Sequence, residues 1–323
     1  MPIIKHSNYD QQAYYFKNGH VETILPSFFR KVKGVVYQRE RIDTPDDDFL
    51  DLDWLKGGNN RLIIISHGLE GSSDRHYVMS CAKYFHKRKW DVLAWNYRSC
   101  SGEMNRQLRL YHHGVTDDLE LIVNKGLSNS DYFEIAMVGF SMGGSTTLKF
   151  LGEKGADVNR KIKAAAVFSV PCNLWNSAEA LKKRENRFYK KRFLRKIKNK
   201  IREKHSLYPD IINITGLDQI DSFDVFDERY TAPLHGFKSA EDFYTRSSSD
   251  RVYDKIKIPA LIVNAINDPM LGQKCYPFDI VEDHETLFLE TPATGGHVGF
   301  SLRKQDHSWM DERAFEFISK YLK

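Results

Sequence analysis

The sequence predicts an α/β fold in which helices cover both faces of a mostly parallel sheet, with a helical insertion in the second half of the chain. Three observations lead to this prediction. Short apolar runs rich in β-branched residues alternate with helix-like stretches along most of the 323 residues, as in sheets buried on both faces. The alternation stops between residues 172 and 250. A sharp glycine-rich turn joins one of the strands to the helix that follows it.

The same pattern predicts how the chain is divided. Because strand-like runs resume only after residue 250, we expect residues 1–171 and 251–323 to form the core. Residues 172–250 would form a helical cap, inserted after the sixth core strand and lying over the carboxyl edge of the sheet. The strand-like runs are 61–66, 91–97, 133–140, 163–170, 258–265 and 285–290, and the helix-like stretches are 76–89, 115–126, 142–153 and 307–323.

The composition is that of a globular chain. It is 41% hydrophobic and 28% charged, which is sufficient for a large buried core. The four cysteines are scattered without CxxC pairing, a pattern that favours reduced thiols in a cytosolic protein over a disulfide or metal framework. No apolar run of about 18 residues and no basic-then-apolar start is visible, so we expect a cytoplasmic protein without a membrane span.

Several patterns that could suggest a metal or a cofactor are better interpreted without one. His112 and His113 are adjacent, and because neighbouring side chains rarely point at one ion, we expect solvent or hydrogen-bonding roles. The acidic segment 44–53 lacks the glycine and distal glutamate of a calcium loop and is interpreted as a hairpin between early strands. Arg98 follows a strand without phosphate-binding spacing and is expected to anchor its loop. We therefore expect no cofactor and no metal.

Positive charge is concentrated in one segment of the predicted cap. The chain has a net charge of +5, but residues 182–204 hold 13 Lys or Arg against two Glu, a net of +11. The cationic face is interpreted as solvated, with weak association with an anionic membrane surface as the alternative. Nucleic-acid binding is disfavoured, because no stacking platform or recognition module accompanies the charge. Apolar residues recur there at helical intervals and predict a stripe opposite the cations: Leu181, Phe188, Leu194, Ile197 and Ile201.

The glycine-rich turn has the spacing of a nucleophile elbow around Ser141. Gly139 and Gly143 lie two residues before and two residues after the serine, where a Cβ atom would collide across the turn. The preceding residues form a predicted strand, and a helix starts at Met142. This strand–turn–helix context is the one in which the motif presents a nucleophilic serine.

A serine nucleophile needs a base, and the base needs an acid to orient it. In folds with this elbow, the acid and then the histidine follow the serine along the chain. Asp268 comes just after the predicted strand 258–265, and His297 lies in a glycine-flanked loop after the strand 285–290. Both positions are at carboxyl strand ends, where ligands bind in open α/β sheets. We therefore predict a Ser141–His297–Asp268 triad.

An acyl-transfer serine also needs hydrogen-bond donors for the oxyanion. The backbone N–H of Met142, the residue after the nucleophile, is one candidate. The other should come from the loop after the strand 61–66, where Gly68 allows the backbone to approach closely. Within that loop, the Leu69 N–H is the predicted second donor.

Five stretches together resemble the YheT-type α/β hydrolases, in register from about residue 10 to the end. The resemblance implies an α/β-hydrolase fold with a helical cap, a triad at Ser141, Asp268 and His297, and carboxylesterase activity. Relatives are described as acting on short- to medium-chain esters, monoacylglycerols or phospholipids, and some eukaryotic ones as making esters by alcoholysis. The stretches are NGHVETILPSFFR (18–30), SHGLEGSS (66–73), NYRSCSGEMNR (96–106), GFSMGGS (139–145) and RYTAPLHGF (229–237).

This chain departs from the family pattern at two positions. Relatives commonly carry two consecutive acids where this chain has Asn267 followed by Asp268. They usually carry a glycine at the position of Ser99, so a slightly different backbone is expected there.

The expected function is that of a serine carboxylester hydrolase that cleaves short- to medium-chain acyl esters, including monoacylglycerol-like lipids, through an acyl-enzyme. An alcohol acyltransferase with the same triad is the alternative among enzymes, because only the relative access of water and alcohol separates the two reactions. A non-catalytic ligand-binding protein on a hydrolase scaffold is the alternative from another class. The expected partner is a small-molecule ester or lipid.

Overall fold

The computed structural model describes residues 2–9, 17–303 and 305–322. Within these residues the chain forms one nine-stranded sheet in the order β1-β9-β8-β7-β6-β4-β5-β3-β2. Pairing is parallel except between β2 and β3 and between β3 and β5. The strands are β1 (Ile3–Ile4), β2 (Gln38–Asp43), β3 (Phe49–Leu55), β4 (Arg61–Ser66), β5 (Asp91–Asn96), β6 (Glu134–Phe140), β7 (Ile162–Phe168), β8 (Ala260–Val263) and β9 (Leu287–Glu290).

Both faces of the sheet are buried, as the apolar runs predict. Along β4, Leu62 and Ile64 belong to one hydrophobic cluster, while Ile63 and Ile65 belong to a second cluster on the opposite face. Strand side chains alternate between the two faces, so a continuous apolar run fills both clusters. The prediction of an α/β-hydrolase fold with a mostly parallel sheet is confirmed.

The core helices and the C-terminal helix lie close to the predicted stretches. Strand β1, which pairs in parallel with β9, was not predicted. Because β1 comes first, the strand that precedes the helical insertion is the seventh described strand rather than the sixth. The core helices are α1 (Gly19–Phe29), α2 (His76–His86), α3 (Thr116–Leu127), α4 (Met142–Lys154) and α8 (Trp309–Ser319).

Between β7 and β8 the described chain contains helices and turns without a strand. The helices are α5 (Leu174–Lys182), α6 (Arg187–Leu207) and α7 (Ala240–Ser247), with shorter helical turns at Leu217–Gln219, Phe223–Phe226, Asp227–Thr231 and Ala232–Leu234. Single helical turns also occur at Gly155–Asp157, Arg184–Asn186, Ser249–Lys255, Gln273–Cys275 and Phe278–Val281.

The predicted apolar stripe is partly wrong, because the chain turns between α5 and α6. The Asn186 side chain donates hydrogen bonds to the carbonyl oxygens of Ala180 and Pro269, and this fixes the turn. Leu181 therefore lies on a different helix, and Phe188 is 49% exposed. The remaining members, Leu194, Ile197 and Ile201, pack against the core.

The cations of α6 are not all solvated, and this corrects the simpler expectation. Lys200 pairs with Glu70 at 2.9 Å. The buried Lys204 ammonium donates to the carbonyl oxygen of Asn105 at 2.6 Å, and burial lowers its pKa to about 8. One side of α6 is thus attached to core loops through its lysines.

Arg98 anchors its loop, as expected. Its guanidinium is fully buried and pairs with Asp48, which belongs to the acidic hairpin, and with Asp118. The hairpin turn is thereby tied to the loop after β5. The next residue, Ser99, has a φ of 60°, the left-handed conformation that a glycine would adopt freely. Its hydroxyl donates to the Asn105 side chain at 2.5 Å, a contact that supports this backbone.

Candidate active site

Ser141 occupies a strained turn between β6 and α4. Its φ is 53°, a conformation that costs a non-glycine residue about 1–3 kcal/mol. The neighbouring glycines allow the turn to be this tight. A Cβ atom on Gly143 would lie 2.3 Å from the Ser66 carbonyl oxygen, and one on Gly139 would lie 2.5 Å from the Gly143 carbonyl oxygen. The serine hydroxyl is therefore raised above the carboxyl edge of the sheet.

The structure brings Ser141, His297 and Asp268 into one hydrogen-bonded row. The Ser141 Oγ lies 2.9 Å from His297 Nε2, and His297 Nδ1 lies 2.8 Å from Asp268 Oδ2. The Asp268 side chain is fully buried, and its other oxygen accepts a hydrogen bond from the Met270 N–H at 2.9 Å. With Asp268 accepting at Nδ1, the imidazole carries its proton there and presents a free Nε2 to the serine.

The loop after β4 lies beside the serine, because β4 pairs with β6. Nearly every amide at the tip of this loop already has an acceptor. Gly68 N–H donates to the Tyr77 hydroxyl and Glu70 N–H donates to the Tyr111 hydroxyl. Among the described residues, the Leu69 N–H has no acceptor.

Met142, the first residue of α4, likewise has an N–H without an acceptor in the described part of the chain. The Ser141 N–H, in contrast, donates to the Phe168 carbonyl oxygen. Two unpaired amides, from Leu69 and Met142, therefore flank the serine, as oxyanion binding requires.

Helix α1 holds the two loops that carry Asp268 and His297, a role that sequence reasoning missed. The Thr23 hydroxyl accepts from the His297 N–H at 2.8 Å. The Glu22 carboxylate accepts from the Asn267 side chain at 2.7 Å and from the Gly295 N–H at 3.1 Å. Burial raises the pKa of Glu22, while both hydrogen bonds favour its ionised form.

Close packing explains the glycine in the first family motif. A Cβ atom on Gly19 would lie 1.8 Å from the Asn267 carbonyl oxygen, so a larger residue would push α1 away from this loop. The stretch 18–30 is one of the five that resemble the YheT-type family. Its role was not predictable, because the residues it contacts, Asn267, Gly295 and His297, are more than 200 positions away in the sequence.

An apolar chamber opens from Ser141 towards the helices between β7 and β8. It contains about 1060 Å³ of empty space, part of it open to solvent. Such a mostly apolar cleft, with a few polar groups at one point, is typical of sites for small apolar ligands. Leu174, Leu181, Phe193, Ile197, Phe223 and Phe243 are among its lining residues.

His112 and His113 lie in the lining of the apolar chamber and are partly buried. Desolvation lowers the pKa of both imidazoles. His112 Nδ1 accepts from the Gly114 N–H at 3.0 Å, which agrees with the hydrogen-bonding alternative. Over the described ranges, no group of three or more His, Cys, Asp or Glu side chains is placed to hold a metal ion. No helix in those ranges is long and apolar enough to cross a bilayer.

Comparisons with known proteins identify the family of this chain. The family model "Serine aminopeptidase, S33" matches residues 57–215. "Putative esterase YheT" of Escherichia coli (strain K12) is 30% identical over 315 residues, which cover 95% of this chain and 92% of that protein. The chain belongs to the YheT-type α/β hydrolases. The expected family of ester-hydrolysing enzymes is thus confirmed.

Two further similarities of this YheT-type hydrolase are to a lipase and to a solved esterase structure. Monoacylglycerol lipase of Saccharomyces cerevisiae is 31% identical over 312 residues, covering 93% of this chain and 66% of that protein. The structure of the Pyrococcus furiosus esterase Pf2001 matches with a TM-score of 0.59 at 17% identity, covering 91% of this chain and 99% of that one. At that identity, the second similarity concerns the fold alone.

Proposed function

We propose that this YheT-type hydrolase is a serine carboxylester hydrolase. Ser141 Oγ bonds to the ester carbonyl carbon while His297 Nε2 takes the hydroxyl proton. The histidine then gives that proton to the departing alcohol oxygen as the ester C–O bond breaks, and the acyl group stays on Ser141. A water molecule repeats the sequence and releases the acid. The observation that carries this proposal is the Asp268–His297–Ser141 hydrogen-bonded row, with distances of 2.8 and 2.9 Å.

The oxyanion that forms in each step would be bound by the Leu69 and Met142 amides. Removal of one such donor typically costs about 3–4 kcal/mol of transition-state stabilisation. Asp268 would keep the imidazole in the required tautomer and stabilise its protonated form. Gly139 and Gly143 would keep the elbow tight enough to expose the nucleophile.

The substrate we propose is a short- to medium-chain acyl ester, including monoacylglycerol-like lipids. The apolar chamber supports this choice, because it begins at Ser141 and is lined by aliphatic and aromatic side chains of the cap. We take residues 172–250 as that cap. Two relatives named monoacylglycerol lipase and Phospholipase ABHD3 also point to lipid esters.

We further propose weak association with an anionic membrane surface through the basic cap helix. A surface groove is lined by cations of α6 and of the turn that precedes it. The exposed Phe188 ring is part of α6, and the Arg192 guanidinium lies over the exposed Phe28 ring. Each cation near an anionic surface contributes about 1 kcal/mol. The cations of the groove include Lys183, Arg184, Arg187, Lys190, Lys191 and Arg195.

The test of the proposed function is Ser141→Ala. We expect loss of about three orders of magnitude or more in p-nitrophenyl butyrate hydrolysis, together with loss of covalent labelling by a fluorophosphonate. Ser145→Ala is the matched control, because Ser145 is a buried serine four residues further along, on α4, and lies outside the chamber lining. Hydrolysis and labelling by Ser141→Ala at near wild-type rates would contradict the proposal.

A further inference from the structure

A second chamber meets the apolar chamber at the reacting atoms. It contains about 800 Å³ of empty space and shares Leu69, Ser141, Phe193, Met270 and His297 with the first. An ester bound at Ser141 therefore has two different spaces available, one for each side of its scissile bond. The acyl chain fits the apolar chamber, which leaves the alcohol part for the second.

The second chamber, called here the cationic chamber, has three positive side chains in its lining: Arg75, Arg192 and Lys196. None of the three forms an ion pair with a carboxylate within the described ranges, and the described lining includes no Asp or Glu. The Lys196 ammonium donates to the Glu70 carbonyl oxygen at 2.9 Å. Burial lowers the pKa of Lys196 and of Arg192, and the nearby Arg75 charge lowers both further. The Glu70 carboxylate, which pairs with Lys200, partly offsets this for Lys196.

Two more features of this chamber favour an anion. Helix α2 begins at His76, and no side chain caps its N-terminus, so its first N–H groups and dipole point toward the space beside Arg75. The His76 Nδ1 is buried and has no partner among the described residues. His76 lines the same chamber.

Mutual repulsion among the three cations is unfavourable in the empty protein. A bound anion would relieve it, and arginine side chains bind phosphate oxygens with paired hydrogen bonds. A phosphomonoester carries a charge of about −1.5 to −2 near neutral pH. This charge complements three cations that form no ion pair. A zwitterionic phosphodiester has no net charge and would complement them less well.

We propose that the cationic chamber binds a phosphomonoester on the alcohol part of the substrate, so that the preferred ester is an acylated alcohol phosphate. This inference rests on the proposed function, since it assigns the leaving-group side of the same active site. Arg75 and Arg192 would bind the phosphate, and His297 would protonate the alcohol oxygen between the two chambers.

The test compares three soluble esters with one acyl chain: 1-octanoylglycerol, 1-octanoylglycerol 3-phosphate and 1-octanoylglycerol 3-phosphocholine. We expect wild type to have the highest kcat/KM for the phosphomonoester. Arg192→Gln should lower the ratio of kcat/KM for the phosphomonoester to kcat/KM for the neutral ester by at least about tenfold, since charge-assisted hydrogen bonds are lost. Arg75→Gln should do the same, and the double variant should lower the ratio further.

Arg160→Gln is the control for a general loss of charge. Arg160 is exposed and precedes β7 at the opposite edge of the sheet, so this variant should keep the wild-type ratio. Wild-type preference for the neutral ester or for the phosphocholine ester would overturn the proposal, as would a ratio that Arg192→Gln leaves unchanged.

A measurement on wild type alone supplements the variants. Glycerol 3-phosphate should inhibit competitively at concentrations at which glycerol does not, and added salt should weaken that inhibition. Equal inhibition by the two compounds would overturn the subsite. If wild type hydrolyses no ester, the proposed function fails. In that case calorimetry decides the subsite. Binding of glycerol 3-phosphate by wild type but not by Arg192→Gln would support it, and no binding by wild type would overturn it as well.

Discussion

Asp268→Asn tests the acid of the proposed triad without changing the shape of the site. In wild type, Asp268 Oδ1 accepts from the Met270 N–H and Oδ2 accepts from His297 Nδ1. An asparagine can keep only one acceptor. If its oxygen stays on Met270, its NH₂ group faces Nδ1, and the imidazole must move its proton to Nε2. That proton would point at the Ser141 hydroxyl, so the histidine could no longer act as a base.

The expected loss in kcat is up to about 10⁴-fold, or roughly 5 kcal/mol of transition-state stabilisation. The assay is steady-state hydrolysis of p-nitrophenyl butyrate, with the melting temperature measured alongside to show that the variant is folded. Activity of Asp268→Asn within tenfold of wild type would refute the argument and place the acid on another strand.

Asn267→Asp completes this test, because relatives commonly carry an acid at that position. In this chain the Asn267 amide donates to the Glu22 carboxylate, and its oxygen accepts from the Gly296 N–H. A carboxylate at 267 would face Glu22 at the same close range instead of His297. The double variant Asn267→Asp, Asp268→Asn should therefore recover no activity and should melt at a lower temperature than Asp268→Asn. Recovery to near wild-type activity would show that residue 267 can serve as the acid.

Two further predictions concern Thr23 and Asp227. Thr23→Val removes the acceptor of the His297 N–H, so kcat should fall by about tenfold or more with a smaller change in KM. Thr23→Ser keeps the hydroxyl and should have a kcat near that of wild type. A low kcat in Thr23→Ser would count against a positioning role. Burial raises the pKa of Asp227 to about 7, above its unfolded value, so wild-type stability should fall as pH rises through about 4 to 7. The free energy of unfolding should change by about 1.4 kcal/mol for each unit of pKa difference between the folded and unfolded states, and Asp227→Asn should not show this fall. Melting-temperature profiles of wild type and variant that run parallel from pH 5 to 8 would contradict the prediction.

The positions that local sequence patterns identify are those that follow buried strands. Ser141, Asp268 and His297 each come after an apolar run, and parallel strands direct their carboxyl ends to one edge of the sheet. The Leu69 loop was located by the strand before it and by Gly68, and the pairing of β4 with β6 places that loop beside the elbow. Hydrophobic periodicity and glycine spacing were therefore enough to place the candidate site.

The contacts that support those residues were not predictable from local patterns. Glu22 lies 245 positions from Asn267 in the sequence, yet their side chains are hydrogen-bonded. The turn between α5 and α6 depends on Asn186 reaching the Pro269 carbonyl oxygen, and this contact divides a stripe that looked continuous. Such long-range polar contacts have no periodic signature, because they depend on the finished fold.

Helix α1 connects the proposed catalytic base to α6. Its Thr23 binds the backbone of His297, while His20 stacks on Tyr189 of α6 with ring centroids 5.7 Å apart. The same α6 carries Arg192 and Lys196 into the cationic chamber. We therefore expect a ligand that draws α6 towards the core to shift α1 as well. Because Thr23 of α1 contacts the His297 backbone, such a shift would change the position of His297. The sensitivity of kcat to Thr23→Val should accordingly be greater for substrates that fill the cationic chamber than for p-nitrophenyl butyrate, whose small leaving group carries no phosphate.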